Sequence, residues 1–177
     1  MANDGLSLFF RSLFRQFGVG HVARLRQASQ VSAPLRATAL AQPGLTARLG
    51  ALPLFAVAQV GAIRVGIVHG DADSLAGWGF SQEALATPEG LDAAGEAIAT
   101  AGVGVIASSH TCLPVLQRFA NGACDSVLIN NGAAGMPNFR GGLYGVITRI
   151  ATTPCAAQPA LYGTRIEGVF VDALAVN

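Results

Sequence analysis

The stretch "IRVGIVHGDADSLAGWGF" at residues 63–80 decides how the chain is read. Its opening is apolar and β-branched, and it stops at His69-Gly70-Asp71. Just upstream lies a second strand-like run, "LFAVAQV" (54–60), joined to "IRVGIVH" (63–69) by a tight turn at Gly61, which is hairpin chemistry. The pattern of a strand ending in an imidazole then recurs. "VGVIA" (103–107) is a short buried strand, and "SSHTC" (108–112) follows it with His110. A third strand, "SVLIN" (126–130), runs into the Gly- and Asn-rich "NNGAAGMPN". If these strands are neighbours, the three loops that leave them meet on one rim, where ligand sites of α/β sheets gather.

The rest of the chain fills in around these strands. Residues 81–86 and 89–101 read as helices, the second opening at "TPEG" and ending near Gly102. Residues 112–120 read as a short helix or turn, and 143–150, 160–166 and 168–176 as further strands. Upstream, 34–51 reads as a helix that opens at Pro34 and is disturbed at Pro43–Gly44. Residues 5–17 carry Leu6, Phe9, Phe10, Leu13, Phe14 and Phe17 at helical spacing, with Arg11 and Arg15 on the other side. That amphipathic helix suits packing on the domain or on a partner, or attachment to a membrane surface. A further helical piece near 20–30 holds His21, read as a surface residue without a companion motif. The expected class is α/β, mixed β-sheets flanked by helices. The expected division is a helical N-terminal segment at 1–50 and a second domain at 51–177.

Composition narrows the function classes. Half the residues are hydrophobic and 12% are charged, yet Arg, Gly or His breaks every long apolar run, so no transmembrane helix is expected. All 11 fixed positive side chains are arginines. Residues 1–70 hold seven of them against one acid, Asp4, and residues 71–177 hold four against nine acids. No aromatic-interleaved Arg cluster accompanies the basic half, so no nucleic-acid partner is expected. The three cysteines, Cys112, Cys124 and Cys155, form no disulfide framework and fit a reducing, cytoplasmic setting. The N-terminus has no basic n-region and a very short apolar stretch, so it does not read as a signal peptide.

An imidazole at a strand end is well placed to hold a metal, because the strand fixes its direction. Cys112 stands two residues after His110 and would point the same way if the chain there is extended. Against this, a single core histidine is commonly a structural residue, and a cysteine is commonly a buried hydrophobe. Ser108 and Ser109 lie beside His110 but belong to no G-x-S-x-G elbow, and "GVGVIAS" lacks the G-x-G-x-x-G spacing of a dinucleotide site.

The ordered set "RVGIVHGD", "VIASSHTCLPV" and "VLINNGAAGMPNFRGGLYGVITRI" resembles the C-terminal half of a calcineurin-like metallophosphoesterase, over roughly residues 50–177. That resemblance implies a partial four-layer α/β/β/α sandwich and a centre of divalent metal ions (Mn, Fe or Zn) acting on a small phosphorylated substrate. It matches His69 to the histidine of the family's His-Gly pair and His110 to the first histidine of its Gly-His-Thr-His loop, both metal ligands. Cys112 falls where the loop's second histidine would stand, and a thiolate can bind zinc or iron. Asn130 and Gly132 match the last, structural motif, while Ser109, Asn131 and Ala133 depart from it.

The carboxylate-bearing motifs of the family's N-terminal half do not appear before residue 50, and "GDADS" (70–74) stands in the wrong order with Ser74 in place of the final acid. A two-metal clamp needs several carboxylates. The expectation is therefore part of a phosphoesterase domain with a foreign or altered N-terminal segment. Its missing strands would leave a sheet edge needing cover, from the helix at 5–17 or from a second copy in a homodimer. Two functions stand side by side: a metal-dependent phosphohydrolase with His69, His110 and Cys112 as ligands and with Trp78 and Phe80 either at the pocket mouth or, equally, in core packing, or a non-catalytic binding module or remnant of the same fold.

Overall fold

The structure is a computed structural model that describes residues 33–34, 36–121, 124–135 and 137–177. The stretches 5–17 and 20–30, with His21, lie outside the described residues. The chain divides into two compact units, one up to Pro53 and one of Leu54–Asn177. In the first, residues 36–40 are helical and α1 spans Pro43–Gly50. Proline at the start of α1 opens a new helix where the sequence suggested a disturbance inside one, because its missing N–H falls among donors that have no partner there anyway.

The second unit begins with a hairpin. Strands β1 (Phe55–Val60) and β2 (Ile63–Val68) pair antiparallel with Val60 opposite Ile63. Gly61 turns the chain at φ +56°, the left-handed conformation such a short loop requires. Helices α2 (Gln82–Leu85) and α3 (Pro88–Ala101) follow. The "TPEG" signal works as expected: the Thr87 hydroxyl accepts from Gly90 N–H, Pro88 sits at the first turn, and Glu89 faces the positive end of the helix dipole. Gly102, at φ +59°, ends it.

Strands β3 (Val105–Ser108), β4 (Pro114–Asn121) and β5 (Cys124–Asn131) complete a five-stranded mixed sheet of order β1-β2-β3-β5-β4. Within it β2, β3 and β5 run parallel. The short helix or turn expected over 112–120 is corrected: the chain turns at His110–Thr111 and bends at Leu113, and β4 follows. Its side chains serve both faces, Leu116 toward the second sheet and Val115 and Phe119 toward the helices, so apolar residues show no period of two. Strands β6 (Gly145–Ala151), β7 (Tyr162–Ile166) and β8 (Val169–Val176) form an antiparallel sheet of order β6-β8-β7.

Alternation along β2, β3 and β5 feeds two cores. Val65, Val105, Val127 and Ile129 pack against Ile166, Val169 and Val171 of the second sheet. On the opposite face Val103, Ile106 and Leu128 pack against Phe80, Leu85, Ala94 and Ile98 of the helical segment. The described residues of Leu54–Asn177 thus form mixed β-sheets flanked by helices, an α/β class with helix, sheet and sheet in layers.

Candidate functional site

Because β2, β3 and β5 are parallel neighbours, their C-terminal ends deliver three loops to one edge of the sheet. The rim anticipated from the sequence therefore exists. The backbone builds it: the His69 carbonyl accepts from Ser109 N–H (3.2 Å) and His110 N–H (2.7 Å). The Ser108 hydroxyl, buried, donates to the Gly70 carbonyl at 2.6 Å, which gives it a structural role and removes it further from nucleophile chemistry.

These clamps bring His69 and His110 together across 41 positions of sequence. His110 Nδ1 lies 3.2 Å from His69 Nε2, with the rings edge-on at 5.0 Å and 70°. The indole of Trp78 stands edge-on to His110 on another side, at 5.5 Å and 74°. Burial lowers the His110 pKa first and the neighbouring His69 lowers it further, with Asp71 acting in the opposite sense. The charged form of His110 is thereby disfavoured, and its Nδ1 is within hydrogen-bond distance of His69 Nε2.

Cys112 does not join them. Its backbone adopts φ +57°, in a turn where Cys112 N–H donates to the Ser109 carbonyl, so the extended geometry that would aim it beside His110 is absent. Its exposed thiol faces the His110 carbonyl at 3.5 Å. Of the two aromatics, Phe80 takes the core-packing alternative, buried under the helices, while Trp78 reaches the rim.

Two residues whose roles the sequence does not disclose, Asp71 and Asn138, organise the rim. Asp71 Oδ1 accepts from Asp73 and Ser74 N–H, and Oδ2 from Gly79 N–H, so the carboxylate folds the loop that carries Trp78. A Cβ at Gly77 would fall 1.9 Å from that carboxylate, which is why glycine stands there. Asn138 accepts from Ala133 N–H and donates to the Cys112 carbonyl, tying the third loop to the second. No periodicity marks either residue; only Asp after Gly70 and Asn after Pro137 hint at loop-closing chemistry. Asn130, wholly buried, donates to the Thr111 hydroxyl and accepts from Gly132 N–H, the structural role its motif position implied.

Two ring nitrogens 3.2 Å apart fit two ligands of one ion at metal–nitrogen distances of about 2.0–2.1 Å. A catalytic zinc site takes about three protein ligands, and a two-metal clamp more, with carboxylates. Among the described residues no group of three or more His, Cys, Asp or Glu is gathered closely enough to hold a metal. The described residues do not fit a catalytic metal centre. Among the described residues, no helix is long and apolar enough to cross a membrane.

No protein-family model matches the sequence, and no curated protein matches it. Solved structures do. Vps29 from Chaetomium thermophilum aligns at 17% identity and TM-score 0.35, covering 56% of this chain and 43% of that one. A single-mutant Vps29 from Entamoeba histolytica aligns at 16% and 0.36, covering 72% and 63%. Vacuolar Protein Sorting 29 from Cryptosporidium parvum aligns at 15% and 0.36, covering 72% and 58%. The aligned region spans between 43% and 63% of those chains, and each is a distant structural match.

Proposed function

We propose that this chain is a non-catalytic module of the calcineurin-like metallophosphoesterase type, which keeps the histidine rim of a phosphoester site without the means to turn substrate over. One observation carries the reading: His69 and His110 converge, but no third ligand converges with them among the described residues. The nearby carboxylate, Asp71, is engaged by three backbone N–H groups of its own loop. A carboxylate so held serves loop structure, and freeing it for a cation would break those bonds. The ligand class we attach to the module is a small phosphorylated molecule at this rim, held without bond cleavage.

The competing reading, a metal-dependent phosphohydrolase, draws support from the 3.2 Å nitrogen separation alone. Calorimetric titration with zinc and with manganese, followed by hydrolysis of p-nitrophenyl phosphate in the presence of each, separates the two. The module shows no hydrolysis above that of His110→Ala. Metal-dependent turnover that disappears in both His69→Ala and His110→Ala would establish the hydrolase instead.

A further inference from the structure

On the inner face of the five-stranded sheet, the sandwich formed by the described residues is open along β6. A groove of about 470 Å³ runs there, with Val60, Val65, Ile67 and Ala107 on one wall and Thr148 and Ile150 on the other. None of its lining side chains is charged. Val146 N–H donates to the Ala133 carbonyl, and the Val146 carbonyl accepts from the Asn131 side chain, so both Val146 groups point away from β8. In an antiparallel ladder a residue's N–H and C=O point to the same side, and alternate residues to opposite sides. Thr148 and Ile150 share Val146's side, and β6 is the edge of its sheet, so their N–H and C=O groups point to the open edge, where no strand among the described residues receives them. Thr148 lines the groove as a residue, while its hydroxyl oxygen is buried without a hydrogen-bond partner among the described residues.

We propose that this groove is a β-augmentation site, taking one extended, uncharged peptide segment that pairs with the free edge of β6. The segment's backbone answers Thr148 and Ile150, and its alternate side chains, apolar, enter the wall of Val60, Val65 and Ile67. Charge matching favours such an occupant: a neutral lining offers nothing to an acidic or basic segment and disfavours burying its charge. One end of the groove, at Val68, Ser108 and Ser109, borders the histidine loops, but neither histidine lines it, so the proposal does not depend on the reading of that pair.

The test uses a fluorescein-labelled, end-capped peptide of alternating Thr and Val flanked by single lysines, and fluorescence anisotropy with the whole chain. Two further peptides carry N-methyl groups on one or the other alternate set of amides. Saturable binding is expected, changing little with salt. One methylated peptide loses more than tenfold in affinity and the other keeps it, because only one set of amides faces β6. Thr148→Pro removes an edge-facing N–H that no β8 bond uses and also loses more than tenfold, while Thr148→Val, checked for fold by circular dichroism, loses a few-fold. Equal binding of both methylated peptides would mean an apolar ligand read without its backbone, and overturns the proposal. So does the absence of saturable binding up to millimolar peptide, or a dimer of the chain that Thr148→Pro dissociates while the peptide neither binds nor competes.

Discussion

Asn130 has no exposed surface, and both polar atoms of its side chain are used: the amide nitrogen donates to Thr111, and the oxygen accepts from Gly132. Its own carbonyl accepts from the Tyr162 hydroxyl at 2.9 Å. Asn130→Ala strands Gly132 N–H inside the rim and is expected to cost about 2–3 kcal/mol, read as a lower urea midpoint at unchanged slope. Tyr162 gives a second test at the same place. Burial pushes its pKa up to about 12. The folded state therefore favours the neutral phenol: this stability is fully present below the ordinary tyrosine value of about 10 and is lost as pH rises through about 12. In Tyr144→Phe the remaining tyrosine is Tyr162, and its tyrosinate absorbance should rise near pH 12. A midpoint near 10 would mean that the ring is not held as described. At this scale the sequence disclosed the histidines and Asn130, because strand ends mark them. It did not disclose where Cys112 points, since a left-handed turn residue cannot be told from an extended one when it is not glycine.

Among the elements, the turn between β7 and β8 carries local strain. Glu167 sits at φ +45° and Gly168 at φ +83°, the positive pair of a tight hairpin turn that asparagine followed by glycine fits best. Glu167→Asn is expected to stabilise the protein by about 1 kcal/mol, a rise in melting temperature of about 2–4 °C. Elsewhere, Gly77→Ala should displace the Asp71 carboxylate, release the loop bonded to it, and expose Trp78, seen as a red shift of its emission with the global midpoint little changed. Elements with a mark at both ends were legible in advance: the β1–β2 hairpin has its glycine turn, and α3 has its threonine cap and closing glycine. Strand β4 was not, for it packs on two faces and starts at proline, and both features hide the alternation that identifies a strand.

At the scale of the molecule, β5 joins the two cores of the Leu54–Asn177 unit. Its neighbours Leu128 and Ile129 have no exposed surface and point to opposite cores, Leu128 to the helices and Ile129 to the second sheet. The site depends on both, because β5 also places Asn130 beneath the rim and aligns β3 with its histidine loop. The fold class could be read from the order of strands and helices. The contact of the two sheets could not, because no local pattern says which strands face one another across a core. If the two cores unfold as one cooperative unit, Leu128→Ala and Ile129→Ala each lower global stability by about 2–5 kcal/mol. Trp78 fluorescence, reporting the rim, and far-ultraviolet circular dichroism, reporting the sheets, then shift to the same new midpoint in each variant. Should Ile129→Ala instead move the circular dichroism transition and leave the Trp78 transition in place, the sheet–sheet core and the helix-covered core would be separate units. The histidine rim would then be held by the helical side alone.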